Sequence, residues 1–203
     1  MTHTDDVSQS RRLRPELFPA AYAQGWTAYY AHRRALRTNA PEDAARLLQA
    51  AVKLMQQALA EAVAEPNAAL SYVLCCLCEF ATQAGQYAIV YETRLQAESM
   101  QDWIHEDEDY WIYFWHFRAV VLDALRQADP GWVVDWYQDL VSNNSADPGF
   151  KATKADAQLT VLLNDKRLTP ELLRAQGGKI YTLVVPEEPT VEGLVAVLQG
   201  KLE

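Results

Sequence analysis

A stripe of apolar residues between positions 45 and 62 constrains the fold more than any other feature of the sequence. Its members recur at alternating spacings of three and four: Ala45, Leu48, Val52, Met55, Leu59 and Ala62. This spacing places them on one side of an α-helix. A helix with one apolar side has to pack that side against neighbours. The sequence therefore predicts a helix that forms one part of a larger helical domain.

Prolines and glycines divide the chain into further elements, because proline disfavours helix interiors. Helices are predicted over residues 17–37, 68–83, 87–100, 105–127, 132–141 and 150–164, and a short helix starts at Thr169. The helix over 68–83 is apolar nearly all round and should be central and buried. Thr190 should cap a last helix that ends near Leu202.

Lys179–Val185 differs from the helical segments, since it is rich in β-branched and aromatic residues between glycine and proline. This composition predicts a strand. A lone strand leaves backbone groups unpaired. The segment should therefore pair with an unrecognised strand of this chain, with a second copy or with another protein, or else lie extended on the helices.

The predicted fold class is all-α, built of stacked antiparallel helix hairpins as a right-handed solenoid or bundle, with a small C-terminal strand-helix appendage. Residues 1–14 are predicted to be a flexible tail, residues 15–176 a helical-hairpin domain, and residues 177–203 the appendage.

One hairpin carries a family pattern. Leu77-Cys78 is a large-small pair, Gly85-Gln86-Tyr87 marks a turn, and the small Ala97 stands late in the following helix. This stretch resembles one tetratricopeptide repeat. It departs from the repeat at Val90, where a small residue is usual, and at Arg94, where an aromatic is usual. The resemblance implies hairpin stacking and the peptide-binding habit of such repeats, but it identifies no ligand residues.

Charge and cysteine content limit the location and the partners. The net charge is -9, and residues 92–147 hold 12 acids against 3 arginines. Such a surface should repel nucleic acid, although Arg11, Arg12 and Arg14 are a small basic exception. No stretch suits a signal peptide or a membrane span, so a cytoplasmic protein is expected. The clustered Cys75, Cys76 and Cys78 cannot form a disulfide framework, which indicates reduced thiols.

Two clusters could hold a metal. Asp102, His105, Glu106 and Asp109 would share a face of a continuous helix, like half of a carboxylate-bridged site. The simpler interpretation is an acidic first turn that stabilises a helix N-terminus after a break. The three cysteines lack further ligands for a closed zinc site and are better explained as small buried residues. No metal or other cofactor is therefore predicted. His116 is interpreted as a hydrogen-bonded core histidine.

The run Tyr110–Phe117 contains aromatic residues on both sides of a helix. A central helix that packs on both sides explains it most simply. The functional interpretation is a ring-lined groove rimmed by carboxylates, which suits a basic peptide through cation–π and ionic contacts. The residues proposed for it are Trp111, Trp115, Trp132, Trp136, Tyr137, Asp107, Glu108, Asp135 and Asp139.

The sequence therefore favours a non-enzymatic interaction protein (an adaptor, a chaperone-like binder or a neutraliser) with a basic protein or peptide as partner. The alternative is a helical-bundle enzyme or sensor that binds a metal or a small cationic ligand between helices through His105, Glu106, Asp109 or His116. A third hypothesis is a homo-oligomer subunit joined through Lys179–Val185.

Overall fold

The computed structural model describes residues 15–135, 149–154, 157–164, 169–176, 179–183 and 189–199. The chain divides into two compact units, residues 1–119 and residues 120–203. Most of the described residues are helical, and the helices of the first unit pack in pairs. The predicted tail over 1–14 lies outside the described residues.

The first unit follows the predicted helical segmentation closely. Its helices are α1 (Ala20–Arg37), α2 (Pro41–Ala64), α3 (Leu70–Gln83), α4 (Tyr87–Ser99) and α5 (Glu106–Ala128), of which α5 continues into the second unit. Short 3-10 turns, Pro15–Leu17 and Gln101–Trp103, precede α1 and α5. The predictions for residues 17–37, 68–83, 87–100 and 105–127 are therefore confirmed, with ends that shift by one to three residues.

Five residues of the predicted stripe of α2 are buried: Leu48, Val52, Met55, Leu59 and Ala62. Ala45 is exposed, and the neighbouring Ala44 is buried in its place. Helix α2 packs against α1 and against α3, and α3 packs against α4. Tight turns fold both hairpins back. Asn39 between α1 and α2 and Gly85 between α3 and α4 adopt the left-handed backbone conformation, with φ of 55° and 68°. Such turns join antiparallel helices.

Helix α3 is the centre of the first unit, as its composition predicts. Every residue from Leu70 to Thr82 is buried except Tyr72, which is half-buried. Its three cysteines are among the buried residues. A helix that is apolar nearly all round has to be enclosed by neighbours on every side.

The second unit contains an antiparallel sheet of five described strands in chain order. The strands are β1 (Val133–Asp135), β2 (Gly149–Lys154), β3 (Ala157–Asn164), β4 (Thr169–Gln176) and β5 (Lys179–Leu183). Helix α6 (Val191–Leu198) follows. Thr190 caps it, because the hydroxyl of Thr190 accepts a hydrogen bond of 3.1 Å from the Gly193 amide.

The sheet corrects three sequence predictions. The helices expected over 150–164 and from Thr169 are wrong, since their described residues lie in strands. The helix expected over 132–141 is wrong at Val133–Asp135, which form β1, and its residues 136–141 lie outside the described residues. The apolar residues of 150–164 fit spacings of three and four, yet they also alternate as a strand requires, and short segments do not distinguish the two. Thr169-Pro170 starts a strand instead of a helix, and proline is tolerated at strand starts.

The strand prediction for Lys179–Val185 is confirmed over its described residues, Lys179–Leu183. Its partner is β4, which had been expected to be helical, with Gln176 opposite Lys179 and Leu172 opposite Leu183. The domain boundary predicted after residue 176 therefore falls inside a sheet. The last helix is confirmed as far as Leu198.

Candidate functional site

The start of α5 carries a cluster of acidic residues. The first turn of α5 contains four acids in succession, from Glu106 to Asp109. Carboxylates are stabilised there by the positive end of the helix dipole. Glu108 is 4% exposed, while Glu106, Asp107 and Asp109 face solvent, as does Asp102 in the preceding 3-10 turn. The sequence therefore concentrates exposed negative charge at one helix end.

Arg94 fixes the end of α4 against the start of α5. Its Nη1 donates to Asp109 Oδ1 at 2.9 Å, and its Nε donates to Glu98 Oε1 at 3.0 Å. Its guanidinium also lies 5.9 Å from the ring centre of Tyr113. The single basic residue of this region is thus held by its own neighbours.

Two exposed apolar side chains lie among these acids. Leu95 of α4 is 66% exposed and Trp103 of the 3-10 turn is 45% exposed. Glu92, Leu95 and Glu98 are spaced by three residues, so they share one side of α4. We use the name acidic face for the exposed acidic and apolar residues between the middle of α4 and the first turn of α5, of which Glu98 is paired with Arg94: Glu92, Leu95, Glu98, Asp102, Trp103, Glu106 and Asp107.

Most aromatic side chains of the run Tyr110–Phe117 on α5 are buried or half-buried. Trp111 is half-buried and meets Phe114 edge-on, with the ring centres 5.5 Å apart. Trp115 is 5% exposed. The guanidinium of Arg118, itself buried, lies 5.0 Å from the ring centre of Phe114 and 4.7 Å from that of Trp115. An internal arginine therefore already contacts the rings that the sequence analysis assigned to a cationic partner.

The predicted binding residues divide between the two units. Asp107, Glu108, Trp111 and Trp115 belong to the first unit and lie on α5, and of these only Asp107 is fully exposed. Trp132 is half-buried in the second unit, and Asp135 ends β1 there. Trp136, Tyr137 and Asp139 lie outside the described residues.

The acidic residues around residue 105 that were considered as half of a metal site do not lie on one continuous helix. Asp102 lies in the 3-10 turn, α5 begins only at Glu106, and Asp109 is bound by Arg94. Across the described parts of the chain, no group of three His, Cys, Asp or Glu side chains is placed to hold a metal ion.

His116 and Cys78 have environments that suppress ionisation. Burial, and then the neighbouring Arg94, lower the pKa of His116, whose ring meets Tyr91 edge-on at 5.7 Å. Burial raises the pKa of the Cys78 thiol to about 12. Cys76 lies 3.7 Å from the hydroxyl of Tyr22, whose pKa burial also raises. Thiols kept in the neutral form are poor nucleophiles.

A buried polar cluster between α1 and α3 was not predicted. The hydroxyl of Tyr29 lies 3.1 Å from Glu79 Oε1 and 2.8 Å from Gln83 Nε2. The Tyr29 ring stacks on Phe80, with the ring centres 4.2 Å apart. Burial, and then Glu79, raise the pKa of Tyr29. The only sequence signal was Glu79, the one charged residue in an otherwise apolar helix.

The fold and the surface define a mostly helical protein of packed helix pairs with an acidic face. No helix in the described part of the chain has both the length and the apolar character that crossing a bilayer requires. No family model, curated protein or solved structure matches this chain.

Proposed function

We propose that this chain is a non-enzymatic interaction protein whose acidic face binds a basic segment of another protein. The observation that carries the proposal is the exposure of Leu95 and Trp103 close in sequence to the exposed Glu92, Asp102, Glu106 and Asp107, while Arg94 is paired with Glu98 and Asp109. An adaptor, a chaperone-like binder or a neutralising protein would use such a surface in the same way.

The chemistry of the acidic face favours arginine over other ligands. An indole ring attracts a guanidinium through its π face, and neighbouring carboxylates add ionic attraction. Tryptophan and arginine are also the residues that most often carry binding energy at protein interfaces. Asp107 and Trp111 are one helical turn apart on α5, so Trp111 could extend the contact. A segment with alternating arginine and apolar residues would fit both components of the face.

The helix hairpins support a finer proposal about architecture. Stacking in the manner of tetratricopeptide-like repeats would present the acidic face on a rigid scaffold, and such arrays commonly bind peptides. Buried Leu77 and Ala97, and Gly85 at the turn, occupy the positions that carry the resemblance. Action in the cytoplasm is part of the same proposal.

A titration with a fluorescent peptide of alternating arginine and leucine tests the function. Trp103→Ala should weaken binding by about tenfold, the usual effect of removing an interface anchor. Replacing Asp102, Glu106 and Asp107 together by their amides should weaken binding and flatten its salt dependence, because fewer counterions are involved. Binding that is unchanged in both variants would refute the proposal.

Matched controls separate the acidic face from net charge. Tyr30 is a similarly exposed aromatic residue on α1, at 49%, so Tyr30→Ala should leave the peptide affinity unchanged. Glu42, Glu61 and Glu65 are exposed on or next to α2, and their triple amide variant removes the same charge elsewhere. An equal loss of affinity in that control would mean that overall charge, and not the acidic face, attracts the peptide.

A further inference from the structure

Helices α1 and α3 run in the same direction. Contacts from α1 and from Phe18, two residues before it, follow one another in the same order along α3. The Phe18 and Tyr72 ring centres are 6.0 Å apart, the Tyr22 hydroxyl lies 3.7 Å from Cys76 Sγ, and the Tyr29 and Phe80 rings stack at 4.2 Å. The chain before α1 therefore lies at the end of the unit where α3 begins.

Helix α5 starts at that same end. Helix α4 returns along α3 after the tight turn, so its last residues lie near the start of α3. Arg94, in the second half of α4, binds Asp109. One and a half turns further along α5, the Trp115 carbonyl accepts a 3.3 Å hydrogen bond from Thr82 Oγ1, near the end of α3. The start of α5, with Asp102, Trp103, Glu106 and Asp107 of the acidic face, and Pro15 thus lie at one end of the first unit, while Glu92 and Leu95 lie further along α4.

The residues directly before Pro15 are Arg11-Arg12-Leu13-Arg14, three arginines around one leucine. We propose that this segment, which we name the basic arm, docks on the acidic face of its own chain and competes with the basic partner. The competition part of this proposal rests on the proposed function, since it requires that the acidic face binds a basic partner. The basic arm matches the acidic face in two ways. Its arginines are opposite in charge to the carboxylates, and its leucine can pack against Leu95 and Trp103.

The distances allow this contact. Helix α1 contacts α3, and α3 contacts α5, so α1 and α5 lie within two helix spacings, roughly 16–20 Å. Arg11 is four residues before Pro15, which gives about 13 Å of extended chain before its own side chain is counted. A tethered segment acts at a high effective concentration, so even weak contacts can occupy the face. A partner would then have to displace the arm.

The first test observes docking without any partner. The chain has 6 tryptophans, and Trp103→Phe identifies the Trp103 indole resonance in an NMR spectrum of the full chain. The double variant Arg11→Ala/Arg12→Ala should shift that resonance. The control Arg34→Ala/Arg37→Ala removes equal charge from exposed positions in the last turn of α1, the opposite end of that helix, and should leave the resonance in place.

The second test measures competition with the arginine-leucine peptide. Removing Arg11 and Arg12 should tighten peptide binding by about threefold to tenfold, the range that a few exposed ion pairs supply, and the Arg34/Arg37 control should not. Failure of the peptide to bind while the indole shift persists would overturn the proposed function and support docking of the arm. Normal peptide binding without an indole shift or a gain in affinity would overturn docking alone. An indole shift that disappears on dilution would also overturn the proposal, because the arm would then come from a second copy.

Discussion

Replacing Tyr29 by phenylalanine tests the buried cluster between α1 and α3. The substitution removes one oxygen and keeps the ring that stacks on Phe80. The hydroxyl has a single proton. The hydroxyl accepts from Gln83 Nε2 at 2.8 Å, and its proton has two acceptors at 3.1 Å, Glu79 Oε1 and Gln83 Oε1, of which the carboxylate is the stronger. Tyr29→Phe therefore deletes one accepted and one donated hydrogen bond inside the unit.

The expected loss follows from the burial of the groups involved. Tyr29 is 4% exposed and Glu79 is 3% exposed, so water cannot readily replace the missing hydroxyl. Withdrawing one partner from a buried polar group costs about 1–3 kcal/mol. We therefore expect the free energy of unfolding to fall by about 2 kcal/mol.

Urea denaturation followed by circular dichroism measures this loss. Tyr30→Phe is the matched control, because Tyr30 is the neighbouring residue and is about half exposed. Its effect should stay within about 0.5 kcal/mol. If the two variants lose the same stability, or if Tyr29→Phe loses less than about 0.5 kcal/mol, the cluster does not hold α1 against α3 as argued.

The same residue predicts a response to alkali. Burial, and then Glu79, raise the pKa of Tyr29, so the folded state keeps the phenol proton above pH 10.0, where the unfolded state releases it. The stabilisation is complete below the unfolded pKa and is lost as pH rises above it, by about 1.4 kcal/mol per pH unit. Tyr29→Phe should reduce this slope by one proton, while Tyr22, whose pKa is also raised, continues to contribute. A slope that is unchanged in the variant would contradict the assigned environment.

Three further outcomes are expected. Gly85→Ala should lower the free energy of unfolding by about 1 kcal/mol in urea titrations; φ is 68° and a Cβ would meet nothing within 4 Å, so only the backbone is strained. Arg94→Met should cost about 1 kcal/mol, and the difference from wild type should shrink near 1 M salt without vanishing, because the Arg94 side chain is only 19% exposed. Burial lowers the pKa of His116 below its ordinary 6.5, so stability should be complete above that pH and fall as acid is added; melting curves of His116→Asn should show a smaller fall between about pH 7 and pH 5.

The helical unit was readable from the sequence because its signals agree with one another. The stripe from Ala45 to Ala62 fits only a helix, and the nearly uncharged segment over 68–83 can only be a helix enclosed by others. Gly85 and Asn39 mark turns that require a left-handed backbone. Each of these predictions depended on local spacing or composition, which can be read from the sequence without knowing the tertiary contacts.

The sheet and much of the acidic face could not be read in that way. Strands β2 to β4 are stabilised by pairing with one another, and their short apolar runs fit both periodicities. Trp103 was overlooked because it follows Asp102 at a predicted helix break, where exposure depends on how α4 and α5 meet. Contact between Glu79 and Tyr29 joins residues 50 apart, and no local pattern records such a distance.

Because α3 is enclosed, the cysteines on it can be used to measure how often the first unit opens. Cys75, Cys76 and Cys78 form no disulfide and are all buried on one helix, so a thiol-labelling reagent can react only while the neighbouring helices have moved away. The labelling rate of the native protein would then report how often the centre of the first unit becomes accessible, a rare event that equilibrium spectra do not detect. Variants that loosen α1, such as Tyr29→Phe, should label faster, and the three thiols should react together if the enclosure opens as one cooperative body.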